Sequence, residues 1–343
     1  MGISRPIERT SRVEEVGARS RERVRGARRL LLISWLVALA LTGPAAGQAT
    51  QEAWPRIDAG QLLEDVRFLS SDALAGRRVG SEGNARAREY ILASFRRLGL
   101  EPVAGGHTQE FRFTGRRDDA EHRGVNVVGL IRGTTYPDRY IVVTAHYDHL
   151  GVGRPDASGD SIYNGADDNA SGTAALLALA AFFREHRPAH SILFAAFDAE
   201  EMGLEGARAF VRNPPVPLNA IVLNVNMDMV GRNENGELYV AGTHHYPFLK
   251  PVVERVARRA PIRLLTGHDR PDLPRGQDWT GASDHGAFHE AKIPFLYFGV
   301  EDHADYHRPS DEFEGIQPEF FARAVETVLA VLLELDRDFP AKR

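Results

Sequence analysis

Apolar residues recur at helical spacing in several stretches of the chain and crowd into short continuous runs between them. Leu62, Leu63, Val66 and Leu69 give one apolar face to a helix over Asp58–Leu69. Tyr90, Ile91, Phe95 and Leu98 do the same for Ser81–Leu98, with Gly99 as its stop. Tyr246–Arg259 and Gln317–Asp336 are amphipathic in the same way, and Asn169–Phe183 is so uniformly apolar or small that it predicts a helix buried against a sheet. The runs Val125–Ile131, Tyr140–Ala145, Ser191–Phe197, Ala220–Val225 and Pro294–Phe298 are mostly continuous rather than alternating, as strands covered on both faces are. Strands alternating with helices predict an α/β fold of three layers, α/β/α, around a mostly parallel, mixed central sheet. No linker rich in Pro, Gly or Ser divides residues 48–343, which are therefore read as one catalytic-size domain, and no internal repeat or heptad run is present.

The amino terminus has a different pattern. An Arg-rich stretch ending in Arg28 and Arg29 leads into the apolar run Leu30–Leu41, followed by Thr42-Gly43-Pro44-Ala45-Ala46-Gly47. The run has 12 residues, whereas a membrane-spanning helix needs about 20. Charged start, short apolar stretch and small-residue exit predict a cleavable export signal over residues 1–47, hence a periplasmic or secreted protein with no stable membrane anchor after cleavage. The paired arginines resemble a twin-arginine signal.

Charge sharpens the picture. The formal net charge is −5, but residues 1–47 hold nine arginines against four glutamates, leaving 33 basic and 43 acidic side chains and a balance of −10 in the rest. A domain so acidic argues against nucleic acid as a partner. Cysteine is absent, which removes disulfides, thiolate metal ligands and a Cys nucleophile, so any metal must be held by His, Asp and Glu.

Those residue types collect where open α/β sheets place function, in the loops past strand ends. Tyr140–Ala145 runs into His146-Tyr147-Asp148-His149, where period-two alternation puts His146 and Asp148 on one side and makes Asp148 a candidate partner for the imidazole. A Gly-, Asp- and Ser-rich loop delivers Asp167-Asp168-Asn169 to the start of the buried helix; alone, such an acidic pair equally suits the helix dipole. Ser191–Phe197 leads into Asp198-Ala199-Glu200-Glu201, whose adjacent glutamates point different ways, so that one can bind metal while the other faces water. Ala220–Val225 leads into Asn226-Met227-Asp228, a carboxylate in an apolar frame that implies a cation or a hydrogen-bond network. Ser283-Asp284-His285 and Asp305-Tyr306-His307 flank the last strand. Singly these motifs are surface turns as readily as sites; together they hold what a two-metal hydrolase requires, with zinc as the leading metal and cobalt or manganese as substitutes.

Lined up, these residues resemble the zinc exopeptidases that include bacterial leucyl aminopeptidases, aminopeptidase S and glutamate carboxypeptidase. The resemblance runs from about Leu62 to Leu335 and is carried by Leu69-Ser70-Ser71-Asp72 with Ala75-Gly76-Arg77, Ala145-His146-Tyr147-Asp148, Gly165 to Gly172, Glu200-Glu201-Met202-Gly203-Leu204, Asn226-Met227-Asp228-Met229, Ser283-Asp284-His285 and Tyr306-His307. It implies two zinc ions, one held by His146 and Asp228 and the other by Glu201 and His307, with Asp168 bridging. It implies Glu200 as general base and acid, Asp148 steadying His146, Tyr306 as an oxyanion donor, and Asp284 and His285 in support. The implied activity is an aminopeptidase acting on peptides, with a carboxypeptidase, or a single-zinc acyltransferase like the glutaminyl cyclases of the same fold, as the alternatives. Transferrin receptors use this fold as a binding module but lose ligands or base, all of which are present here. The stretch from Phe113 to Asn126 is too short for a protease-associated insert. Trp279 and Phe288 are candidates for a side-chain pocket or for packing beneath it.

Overall fold

Four continuous apolar runs become the four central strands of an eight-stranded sheet in the computed structural model, which describes residues 53–338 apart from 117 and 275. The export signal expected over residues 1–47 lies outside the described residues. In chain order the strands are β1 (Thr108–Thr114), β2 (Glu121–Ile131), β3 (Tyr136–His146), a two-stranded ribbon of β4 (Gly151–Val152) and β5 (Ile162–Tyr163), then β6 (His190–Phe197), β7 (Ile221–Met227), β8 (Glu237–Ala241), β9 (Arg263–Thr266) and β10 (Phe295–Gly299). The large sheet runs β1-β2-β6-β3-β7-β10-β8-β9. Strands β6, β3, β7 and β10 are mutually parallel, β9 is parallel to β8, and the pairs β1–β2, β2–β6 and β8–β10 are antiparallel. The sheet is thus mixed and mostly parallel, as expected.

Helices are α1 (Ala59–Leu69), α2 (Glu82–Leu98), α3 (Gly172–Glu185), α4 (Glu205–Arg212), α5 (Lys250–Ala257), α6 (His285–Glu290) and α7 (Pro318–Asp338). Asp58 and Ser81 cap α1 and α2 by accepting from Gln61 N and Asn84 N at 3.0 and 3.1 Å. Gly99, with φ 69°, closes α2. The buried helix starts three residues later than its apolar pattern does, because Ala166–Ser171 form a wider turn in which Asp168 and Asn169 leave helical geometry.

Period-two alternation divides the core into two layers. Ile141, Val143 and Ala145 of β3 and Ile192, Phe194 and Ala196 of β6 face one layer, packed with α1, α2, α3, α5 and α7. Val142, Leu193, Ala195 and Phe197 face the other, a smaller cluster with Ala207 and Phe210 of α4 and Ala287 and Phe288 of α6. Phe288 is fully buried there against Phe197 and Phe210, so of its two readings packing is the observed one. His190 is buried at the start of β6, its Nδ1 3.0 Å from Asp336 Oδ1.

Candidate metal centre and cleft

The parallel strands all end on one edge, and their carboxyl ends bring the polar clusters together. His146 is the last residue of β3, Asp228 follows β7 directly, and Glu200 and Glu201 lie in the turn after β6. Asp168 stands at the entrance to the buried helix, in the wide turn before α3. Asp311 holds that turn, accepting from Asp167 N at 3.0 Å and Asp168 N at 3.0 Å. His307 comes from the loop between β10 and α7.

These residues form two clusters that share Asp168. His146 Nε2 lies 3.4 Å from Asp168 Oδ1 and 3.4 Å from Asp228 Oδ1. On the other side, His307 Nε2 lies 3.0 Å from Asp168 Oδ2 and 3.5 Å from Glu201 Oε1. Asp168 therefore turns one oxygen to each cluster. Four donors at about 2.0–2.1 Å from a tetrahedral zinc stand about 3.3 Å from one another, which is close to these separations. The donor set is all imidazole and carboxylate. Asp228 Oδ1 and Glu201 Oε1 are buried yet accept no hydrogen bond, a costly arrangement that a cation relieves. The residues present fit metal.

Electrostatics agree with the geometry. Burial alone would raise the Asp168 carboxyl, but His149, His146 and His307 hold it well below the usual carboxylate range. Glu201 is held down at about 2 by His149 and His307, against burial and Asp168. Glu200, partly exposed to the cleft, is pushed well above the ordinary glutamate range, first by burial and then by Glu201, Asp228 and Asp284, with His146 opposing. Asp284, fully buried, is raised to about 8 by burial and by Asp148 and Asp228.

Asp148 does more than was expected of it, and partly by another route. Its carboxylate is 3.7 Å from His146 Nδ1, beyond hydrogen-bond reach, while its own carbonyl accepts from that nitrogen at 3.2 Å. The carboxylate instead accepts from Glu200 N at 3.0 Å and Glu201 N at 3.3 Å, fixing the turn that carries both glutamates. Tyr306 stacks on the His307 ring at 3.9 Å and lines the cleft, its phenol raised by burial and by Asp168 and Asp228, so it remains a donor.

Two side chains of the site were not singled out from the sequence. His149 is fully buried with Nδ1 2.7 Å from Glu201 Oε1 and 3.8 Å from Asp168 Oδ2, forming a three-residue cluster with them. A Cβ on Gly165, whose φ is 55°, would run into its ring and the Asp168 carbonyl. Its signal was the second His of His-Tyr-Asp-His. Arg77, also fully buried, donates to the carbonyls of Tyr147, Asn164 and Gly165 behind both clusters, and burial lowers it to about 10. Only its place in the opening segment of the resemblance pointed to it.

The cleft above the clusters encloses about 420 Å³. Asp168, Glu200, Glu201, Asp228 and Asp302 make its lining acidic, and Trp279 stands in its wall. Buried carboxylates paired with imidazoles across a shared Asp, under an open cleft at the carboxyl edge of a mixed α/β sheet, define the class of metal-dependent hydrolases. The model of peptidase family M28 matches residues 126–332, and the chain belongs to that family. It is 32% identical over 223 residues to aminopeptidase YwaD of Bacillus subtilis (strain 168), covering 61% of this chain and 44% of the relative. It is 40% identical over 196 residues to a probable zinc metalloprotease of Pyrenophora teres f. teres (strain 0-1), covering 54% and 41%. The chain thus spans about two fifths of the length of these curated relatives. Its fold is shared with a zinc aminopeptidase from Bacillus subtilis, at a TM-score of 0.66 and 20% identity over 82% of this chain and 96% of the other. It is shared equally with a glutaminyl cyclase of Bacteroides thetaiotaomicron, at 0.66 and 19% over 82% and 99%.

Proposed function

We propose that this chain is a two-zinc aminopeptidase that removes amino-terminal residues from peptides, with Glu200 as general base and acid. The observation that carries the reading is the sharing of Asp168 between two histidine–carboxylate clusters beside a partly exposed Glu200. His146 and Asp228 would hold one ion, Glu201 and His307 the other, with Asp168 between them and His149 as the imidazole partner of Glu201 on the second side. Zinc bound there supplies Lewis acidity toward the scissile carbonyl and a more acidic water. Glu200 takes a proton from the attacking water and passes it to the leaving amine, a task suited to a carboxyl whose affinity for protons is raised. Tyr306 donates to the oxygen that gains charge in the tetrahedral state. Asp148 keeps Glu200 and Glu201 in register by accepting from both their backbone amides.

The acidic cleft supports an aminopeptidase over the other members of the fold. With Asp168, Glu201 and Asp228 given to metal, Glu200 and Asp302 are the cleft carboxylates left to favour a substrate's free ammonium. The equal likeness in fold to glutaminyl cyclases keeps a cyclase as the second reading. Metal analysis of the purified protein combined with a panel of free-amine and amino-blocked peptides separates them. Two zinc ions per chain and cleavage of free-amine peptides alone are expected, both abolished by chelation. One ion with ammonia release from amino-terminal glutamine would make it a cyclase, and cleavage of blocked peptides from the other end a carboxypeptidase.

A further inference from the structure

Two guanidinium groups flank the turn that carries Glu200 and Glu201, and they are not equivalent. Arg208 Nε donates to Gly203 O at 3.2 Å, and its fork is neutralised by Glu290 at 2.7 and 3.0 Å. Arg116, from the connection between β1 and β2, approaches the same glycine. A Cβ built on Gly203 would stand 3.0 Å from Arg116 Cζ and 3.2 Å from its Nε. Gly203 has φ 109°, and its N–H, with that of Leu204, donates to Glu200 O at 2.8 Å, so the absent side chain leaves room for a guanidinium beside the catalytic turn. Arg116 lines the cleft together with Glu200 and His307. It is exposed and makes no ion pair among the described residues.

We propose that Arg116 is a specificity-determining residue that receives a carboxylate on the leaving portion of the substrate. The inference rests on the aminopeptidase reading. If the amino end is drawn to the carboxylates around the clusters, the remainder of a short peptide leads outward, to the exposed rim where Arg116 stands. A planar fork exposed beside this turn is suited to bidentate carboxylate recognition. Two sources share that chemistry: the terminal carboxylate of a di- or tripeptide, and an acidic side chain following the scissile bond in a longer one.

The test compares zinc-loaded enzyme on leucyl-alanine against leucyl-alaninamide, and on leucyl-glutamyl amide against leucyl-glutaminyl amide. In at least one pair the carboxylate form is expected to have a kcat/KM about two- to fivefold higher at low salt, the size of an exposed charge pair. The preference should shrink as salt is added. It should fall toward unity in Arg116→Gln, invert in Arg116→Glu and persist in part in Arg116→Lys, whose melting curves show whether each is folded. The pair that responds identifies the source. Equal rates in both pairs for wild type, or a preference that survives Arg116→Gln, overturns the inference while the peptidase reading stands. If wild type cleaves none of the four, that reading fails instead. Calorimetric binding of the same peptides to wild type and Arg116→Gln then decides separately, and absence of an Arg116-dependent difference overturns the inference.

Discussion

The two clusters are built by different means, and the contrast shows how such a site divides rigidity from adaptability. His146 and Asp228 stand at the ends of adjacent parallel strands, 1% and 8% exposed. Their positions are set by ladders that continue into both neighbours: His146 is in register with Phe197, and Asp228 N donates to Phe298 O at 3.0 Å. The other cluster is assembled from loops. His307 is 37% exposed on its side chain and has φ 55°, an uncommon conformation for a non-glycine residue. Its loop is tied by the Arg232–Asp305 pair at 2.8 Å and by Ser310 donating to Asp305 at 2.7 Å. A sheet places atoms through cooperative hydrogen bonds, whereas a loop does so through a few polar contacts that can each be lost. The strand-borne half is thus fixed by the fold, and the loop-borne half by local partners.

Three substitutions sharpen this division, and the largest effect belongs to the turn between the halves. Glu200→Gln keeps size and backbone capping by Asp148, so zinc content and melting temperature should hold while kcat falls by about 10²–10⁴. Steady-state kinetics with metal analysis checks this, and near-wild-type turnover would remove Glu200 from the mechanism. Tyr306→Phe probes the loop half, where one donor to the developing oxyanion is deleted and the ring stacked on His307 is kept. A fall in kcat of about 10²–10³ with little change in KM is expected from single oxyanion donors; an unchanged kcat would leave Tyr306 with packing alone. The smallest effect is that of His149→Gln, which removes the imidazole beside Glu201 and Asp168. A loss of about 10–100-fold in affinity for one zinc ion, with the other retained, matches what partners around a metal contribute. Equilibrium dialysis of both ions checks it, and equal weakening of the two would contradict the division.

The same contrast governs how much could be read from sequence. Central strands announce themselves because burial on both faces makes them continuous apolar runs, as in Ser191–Phe197, buried throughout. Edge strands do not: Thr108–Thr114 alternates between exposed and half-buried positions, and Arg263–Thr266 is four residues long, too short for any period to register. The candidate site residues and their order were legible because polar residues interrupt apolar runs just past strand ends. Arg77, His149 and Asp311 were not, since each acquires its place by meeting segments distant in the chain. Asp311 reaches back 144 residues to hold Asp167, a contact with no local pattern to mark it. The reading of Asp148 as a partner of His146 was incomplete for a similar reason, because alternation gives the side of a chain but not every partner found there: the carboxylate stands 3.7 Å from His146 Nδ1 and also accepts from Glu200 N and Glu201 N.

The alternation that splits the core into two layers also limits how this chain can change in length. Ile141, Val143 and Ala145 face the layer of α3, while Val142 faces that of α4. A single residue inserted among them inverts every later side chain of β3 and turns His146 away from Asp168 and Asp228. Gains and losses of single residues are therefore disfavoured in the strands that position His146 and Asp228. They remain permissible in exposed turns such as Asp156–Asp160, whose hydrogen bonds close on themselves. Variation in length among descendants of this sequence should fall in such exposed turns, where it leaves the strand ends in register.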